Sequence, residues 1–557
     1  MPSGLRKTTG NHFEIYYEQP WGGVASDKDP VDIAENQLVT QQGVVDLNGK
    51  LYPFILQPSF AWTSTVANSY PVLLWVQNQV IFAIDQFGFI YYLEGVAFVN
   101  DPIAAPPFPG TPWASPPSAV QVINGTAYIS NYGLNSIFSF DGVSALLLAS
   151  NYAGGRILGV LDDYLLQLNT NNVVDGIQPN RINWSGPGEF STWDPSIDRS
   201  AGFNTLAGVE DQITGFLSFA SVGIAITQKG LVELSPTGVA IGPFDFTTLW
   251  TSAIGQGCVY PDSVSQYGQI GYMATNSGVY GISTAAGFSD LSGAARTAIL
   301  QTLNAAANGT VGFNLFICGS VFLYYFNATS PHPTYLLASI LPQPPRLGVS
   351  AVLSIWALDI PKNTWSNTQY NVDAISNAYL HSDYIGLRVV SLNLTSLDQA
   401  PVLLQTPTLP NVTAFPVPIT LLTMGVYDPG SATTHAVILV PTTSNGIETD
   451  FALLPATILQ FRSEEIKLGH TRKPTIRRCV VKAYGSGTLA CAITDVNGTI
   501  TPLGNITLDG TANPRTYYSP AGIVTAEAPQ LSITSTSFNG VIVKAMLAGT
   551  YADGEID

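Results

Sequence analysis

The sequence predicts an all-β chain, a β-propeller of six to eight blades followed by a C-terminal β-sandwich. Three observations lead there. Charged residues make up only 11% of the 557 residues and hydrophobic ones 46%, while glycine (51) and proline (38) are plentiful. That is the composition of short strands and many turns rather than of solvated helices. A block of apolar strand, short turn, second strand and a G-x-Y/F or D-G close recurs at a spacing of roughly 45 to 50 residues, as in four-stranded blades. Within the blocks, apolar residues alternate with a period of two, the pattern of a half-buried strand.

Residues 1–49 are read as a lead-in segment and 50–445 as the propeller. Blocks begin with LLWVQNQVIFAIDQFGFIYYLEG (73–95) and continue at 119–142, 213–235 and 261–283, with further ones at 311–328, 350–365, 378–394 and 418–441. In the 119–142 block, Asn124-Gly125 supplies the positive-φ pair that a two-residue hairpin needs. One segment breaks the pattern, a short helical insertion near 290–304. After Ser289-Asp290, Ala295, Ile299 and Leu303 recur at i, i+4 and i+8, and a Ser or Asp can cap the first turn; the helix is expected to lay its apolar side on the propeller rim. The texture changes near 442–452. Residues 446–557 read as a compact sandwich, with turns expected at Gly485-Ser486-Gly487, Asn497-Gly498 and Asn539-Gly540.

Lys and Arg number 21 against 38 Asp and Glu, a formal charge of −17. An average surface of that sign repels phosphate and anionic lipid, which argues against a sequence-specific DNA binder. No apolar run reaches the ~20 residues of a spanning helix, and the N-terminus lacks the apolar centre of a signal peptide. No membrane insertion is expected, and synthesis is expected in a cytoplasm. The four cysteines, Cys258, Cys318, Cys479 and Cys491, form no CxxC pair, so buried free thiols are expected rather than zinc or a disulfide framework.

No nucleophile, P-loop, dinucleotide or zinc-protease motif occurs, and the five histidines (12, 332, 381, 435, 470) are dispersed. The carboxylate pairs Asp162-Asp163 and Glu210-Asp211 would be needed as partners across a sugar in a glycosidase. Adjacent strand residues point to opposite faces, so these read as turn residues. No catalytic, cofactor-binding or metal-ligating residue is assigned, no cofactor is expected, and the chain is not expected to be an enzyme.

Two clusters stand out. In NRINWSGPGEFSTWD (180–194), Arg181, Trp184 and Trp193 could form a sugar-stacking platform, a docking surface or the packed corner of a β-fold. In the second, Arg462, Lys467, Arg472, Lys473, Arg477 and Arg478 place six of the 21 basic residues within 462–478. They form a candidate subunit interface, a patch able to meet an acidic neighbour on an otherwise acidic protein, with a solvated face as the alternative.

The run 180–234, with GPFDF (242–246), IGQGCVYPDSV (254–263) and TNSGVYGI (275–282), resembles the β-propeller tail proteins of bacteriophages, namely the tail nozzle or tail tubular proteins and the packaged-DNA stabilisation proteins of short-tailed phages. FRSEEIKLGHTRKPTIRRCVVKAYGSGTLACAITD is similar to the sandwich that follows their propeller, and DIAENQLVTQQGVVDLNGKLYPF to the segment entering their first blade. The resemblance implies a virion structural protein, a subunit of a hexameric ring in the tail tube or nozzle that retains packaged DNA and conducts it during ejection. Its partners would be copies of itself, the head-to-tail adaptor and other tail proteins, with DNA passing through without sequence-specific contact. It also places Arg181, Trp184 and Trp193 in a structural aromatic corner. The rival expectation is a carbohydrate-binding or carbohydrate-cleaving propeller acting in host receptor recognition.

Overall fold

In the computed structural model the described residues comprise most of 71–100, 117–307 and 474–551, the strands between 313 and 439, the strand at 459–463, and short stretches before residue 64. Among them the chain is all-β, built of several antiparallel sheets, with one short helical segment.

Five four-stranded sheets follow one another at 117–149, 155–205, 213–249, 264–290 and 313–372, each pairing chain neighbours in order. The first shows why. Pro117–Ile123 turns back into Thr126–Asn131 with Ile123 opposite Thr126, because Asn124 (φ 48) and Gly125 (φ 77) adopt the left-handed conformations that match the strand twist. Ala127 and Ile129 are buried while Tyr128 between them is half-buried, the alternation of a strand packed on one face. The opening strands of successive sheets touch one another along the chain.

A polar residue closes the second strand in the first four of these sheets and in the meander at 71–100, whereas the second strand of the fifth sheet, Tyr335–Ile340, ends on isoleucine. Asp85, Asn131, Asn172, Thr227 and Thr275 end their strands and are all buried. Asp85 Oδ1 accepts the Phe87 and Phe89 amides at 2.9 and 2.8 Å. Asn172 Oδ1 accepts that of Asp175 at 2.8 Å, and the Thr227 and Thr275 hydroxyls accept those of Gly230 and Ser277 at 2.9 and 3.0 Å. The reason is general: amides at a buried turn need an acceptor, and short polar side chains supply one locally. Hydroxyls also fasten neighbouring parts: Ser118 of the first sheet donates to the Gly155 carbonyl of the second (2.7 Å), and Thr214 of the third to the carbonyl of Cys258 in the connection that follows it (2.8 Å).

Strands Pro71–Gln77, Val80–Asp85, Ile90–Glu94 and Ala97–Asn100 form a further meander. Its first strand pairs on the other side with Asp398–Leu403, from far along the chain. The strand Lys50–Thr63 runs parallel to Ala97–Asn100 and antiparallel to Ile419–Val426.

The helical segment begins as a single 3-10 turn, Gly293–Ala295, and continues as Arg296–Ala307. Ala295 and Ile299 lie buried with Tyr272, Ala274, Trp356 and Trp365, so the helix fills the space between the fourth and fifth sheets. Ser292 precedes it without capping it by side chain; its hydroxyl accepts the Val279 amide at 2.9 Å instead. Asp290 takes the N-terminal role, accepting the Ser292 amide at 2.9 Å and pairing with Arg296.

A separate core lies at the C-terminus. The 21-residue strand Pro474–Thr494 pairs with Ile500–Tyr518 and Asn539–Tyr551, and its far end with Gln530–Ser535. Gly485-Ser486-Gly487 is not the expected turn: the strand runs through it, with register shifts beside Gly485 and φ of 99° and 116° at the two glycines. A side chain at Gly487 would collide with the Ser537 carbonyl, so the glycines bend a continuous strand where another chain segment crosses closely. Asn497-Gly498 does turn the chain, with Gly498 at φ 78, whereas Asn539-Gly540 begins a strand. The lead-in is woven into this region. His12–Tyr16 pairs with Asn539–Tyr551 and Leu38–Gln42 with Leu459–Ser463, and Leu38, Val44 and Leu51 join the C-terminal core. The boundary expected near 442–452 lies outside the described residues.

Candidate functional site

Arg181 and Trp184 sit on the strand Gly176–Trp184, third in the second sheet. Trp184 is 7% exposed and Trp193 2%, and they point into different cores. Trp184 packs towards the third sheet with Leu206, Ile213, Val232 and Leu234. Its ring meets Phe244 edge-on at 5.6 Å, and its indole N–H donates to the Ser200 carbonyl at 3.0 Å. Trp193 packs towards the first sheet with Ile137, Leu158 and Leu165, its N–H donating to the Phe190 carbonyl at 3.0 Å. Arg181 both bridges and stacks. Its guanidinium lies 2.5 Å from Asp175 and 4.3 Å from the Phe203 ring centroid, and its Nε donates to Thr205 Oγ1 at 3.2 Å. The loop that separates the tryptophans is held at Gly188, whose amide donates to the Asp163 carbonyl at 2.8 Å. The stretch therefore fastens three consecutive sheets, and neither indole offers a face to a sugar.

The carboxylate pairs are placed in part. Asp162 and Asp163 are exposed in the turn after Leu161, Asp162 with φ 54. Asp211 is buried and accepts the Lys229 amide at 2.5 Å; Glu210 lies outside the described residues. Of the histidines, His12 lies in a described strand and the other four fall outside. Among the described residues no group of His, Cys, Asp and Glu is arranged to hold a metal ion, and no helix is long and apolar enough to cross a membrane.

The basic run is partly placed. Lys467, Arg472 and Lys473 lie outside the described residues, and Arg462 stands opposite Thr40 and Ser532 in the strand Leu459–Ser463. Arg477 and Arg478 are both exposed although consecutive, because the register slips between Ile476 and Arg478; a bulge of this kind turns two neighbours to the same side. The slip opens a basic face that the sequence run did not include. Lys482 is exposed and directly opposite Lys544, and the Arg478 guanidinium lies 5.8 Å from the ring centroid of exposed Tyr518.

On the same hairpin, Asp509 accepts from Tyr517 (2.5 Å), Thr511 Oγ1 (2.8 Å) and Arg515 (2.6 Å). The Tyr517 and Thr511 hydroxyls, with Arg515 beyond them, hold its carboxyl down at about 2. A depressed carboxyl favours the folded form fully above its unfolded value of about 3.9 and loses that contribution as pH falls through the folded value. Local order around 509–517 should thus persist on acidification and fade between about pH 4 and pH 2. NMR titration of the Tyr517 ring resonances checks this; an Asp509→Asn variant should show no such transition.

No protein-family model matches the chain, and no curated protein matches it. Similar solved structures include AztD from Citrobacter koseri (10% identity, TM-score 0.34, covering 72% of this chain and 93% of that one). Others are the WD40 domain of SCAP from fission yeast (10%, 0.32, 87% and 99%) and an exo-β-1,3-galactanase from Phanerochaete chrysosporium (11%, 0.23, 88% and 100%). Scores of this size leave function to be argued from the chain's own residues.

Proposed function

We propose that the chain is a structural subunit of a bacteriophage tail, a nozzle or tube component that assembles into a ring, retains packaged DNA and conducts it during ejection. The fold in this reading is a seven-bladed propeller. Five blades are the meanders at 117–372, and the sixth is 71–100 with Asp398–Leu403 on its inner edge. The seventh is Arg388–Ser391, Ala436–Leu439 and Ile419–Val426, completed by Lys50–Thr63. The C-terminal core, closed by the strands of 474–551, is the sandwich of this reading. A channel lined by a protein of charge −17 passes DNA without gripping it, since contact with phosphate brings no counterion release.

The observation that carries the reading is the exposed basic face of Arg477, Arg478 and Lys482 on an acidic protein. Such a face suits the acidic flank of a second copy or of an adjoining tail ring. Interfacial charges of this kind govern association rate, register and salt sensitivity more than raw affinity. The double variant Arg478→Glu/Lys482→Glu should therefore fold normally yet sediment as monomer where the parent sediments as a ring. Assembly of the parent should weaken with rising salt. Normal assembly of the variant together with lost binding to duplex DNA would assign the face to DNA and refute the docking role.

A further inference from the structure

Cys479 and Cys491 occupy the same strand, Pro474–Thr494. A straight strand would hold them about 40 Å apart. The bend at Gly485 and Gly487 brings them together. Before it the strand pairs with Asn539–Tyr551, where Cys479 stands opposite Leu547; beyond it Cys491 stands opposite Ile533 of Gln530–Ser535. Both side chains enter one core, 0% and 2% exposed, among Val481, Leu489, Ile493, Leu531 and Leu547. There the paired strand brings them close: the Ser519 hydroxyl accepts the Cys479 amide at 2.8 Å, and the ring of the next residue, Pro520, lies against Gly504, which stands opposite Cys491. Cys258 is also buried but lies in a different core.

We propose that Cys479 and Cys491 are a closable pair, converted by a small-molecule disulfide into an intrachain disulfide that ties the two halves of the bent strand together. One thiol, as thiolate, attacks a sulfur of the small disulfide, forming a mixed disulfide and expelling one small thiolate. The second protein thiolate attacks the protein sulfur of that mixed disulfide and expels the other. The two protons leave with the two small thiols, the protein pair is oxidised by two electrons and the small disulfide is reduced. The neighbouring Cys491 thiol, and then burial, hold the Cys479 thiol well above its ordinary value. The thiolate is scarce while the core is closed, so the pair stays reduced in a cytoplasm and closes slowly outside one. The inference is independent of the tail reading, since it concerns chemistry within one chain.

The test uses the full wild-type chain, purified reduced and incubated with oxidised glutathione, once folded and once during refolding from urea. Alkylation in denaturant followed by peptide mapping then reads the products. The expected result is that two of the four cysteines become resistant to alkylation, that the peptides carrying Cys479 and Cys491 are joined, and that the oxidised chain unfolds at higher urea than the reduced one. Closure should be faster during refolding than in the folded protein. Cys491→Ser should give no joined peptide and at most a glutathione adduct. Four alkylatable cysteines after both incubations, or a link that joins other cysteines instead, would overturn the proposal, and neither outcome depends on a variant folding.

Discussion

Replacing Trp193 with alanine is expected to lower the unfolding free energy by about 3–5 kcal/mol, the cost of deleting a large aromatic side chain from a packed core. Trp193 fills the space between the first and second sheets, and its loss also leaves the Phe190 carbonyl without its indole donor. Phe190 would loosen with it, since its ring rests edge-on against Tyr128 at 5.2 Å. Trp184→Ala should cost a similar amount through the neighbouring core, where Phe244 and Phe246 lie 5.6 and 6.3 Å away. Urea unfolding measures both. A loss of under about 1 kcal/mol at either position would mean that the site is exposed and free to serve as a binding platform, because surface substitutions have small effects.

Adding a methyl group at Gly159 should destabilise by about 1–3 kcal/mol, the usual penalty of overpacking. Gly159 lies on the opening strand of the second sheet and Phe216 on that of the third. A Cβ at Gly159, or at Gly223 on the other side, would overlap the Phe216 ring. The ring therefore occupies a slot that two glycines leave open, and this sets how closely adjacent opening strands approach. Phe216→Leu in the Gly159→Ala background should recover part of the loss, so the double-mutant cycle should show coupling. Strictly additive losses would indicate that the two sheets do not meet there.

Much of this organisation can be read from short-range pattern. The blocks at 73–95, 119–142, 213–235 and 261–283 each contain three strands, and Asn124-Gly125 makes its turn because only its φ values fit. The helical insertion follows from the spacing of Ala295 and Ile299, both buried. The second sheet is harder to see. Its strand Tyr164–Asn172 carries buried Gln167, Asn169, Thr170 and Asn172, and Asn169 is left-handed at φ 53, so polarity and a bulge mask a core strand. The turn caps are equally hidden, since Asp, Asn and Thr share one role without sharing identity. Gly485-Ser486-Gly487 reads as a turn because glycines serve turns and bends alike. Long-range pairing leaves no local trace: nothing near His12 announces Thr550 opposite it. The basic face is the same case, for Lys544 reaches Lys482 only through register.

Negative-stain electron microscopy of the purified full chain tests the structural-subunit reading most directly. At low ionic strength rings with an axial hole are expected, which dissolve into single particles in high salt and are absent for Arg478→Glu/Lys482→Glu. Single particles of the unaltered chain at every concentration and salt tested would contradict it.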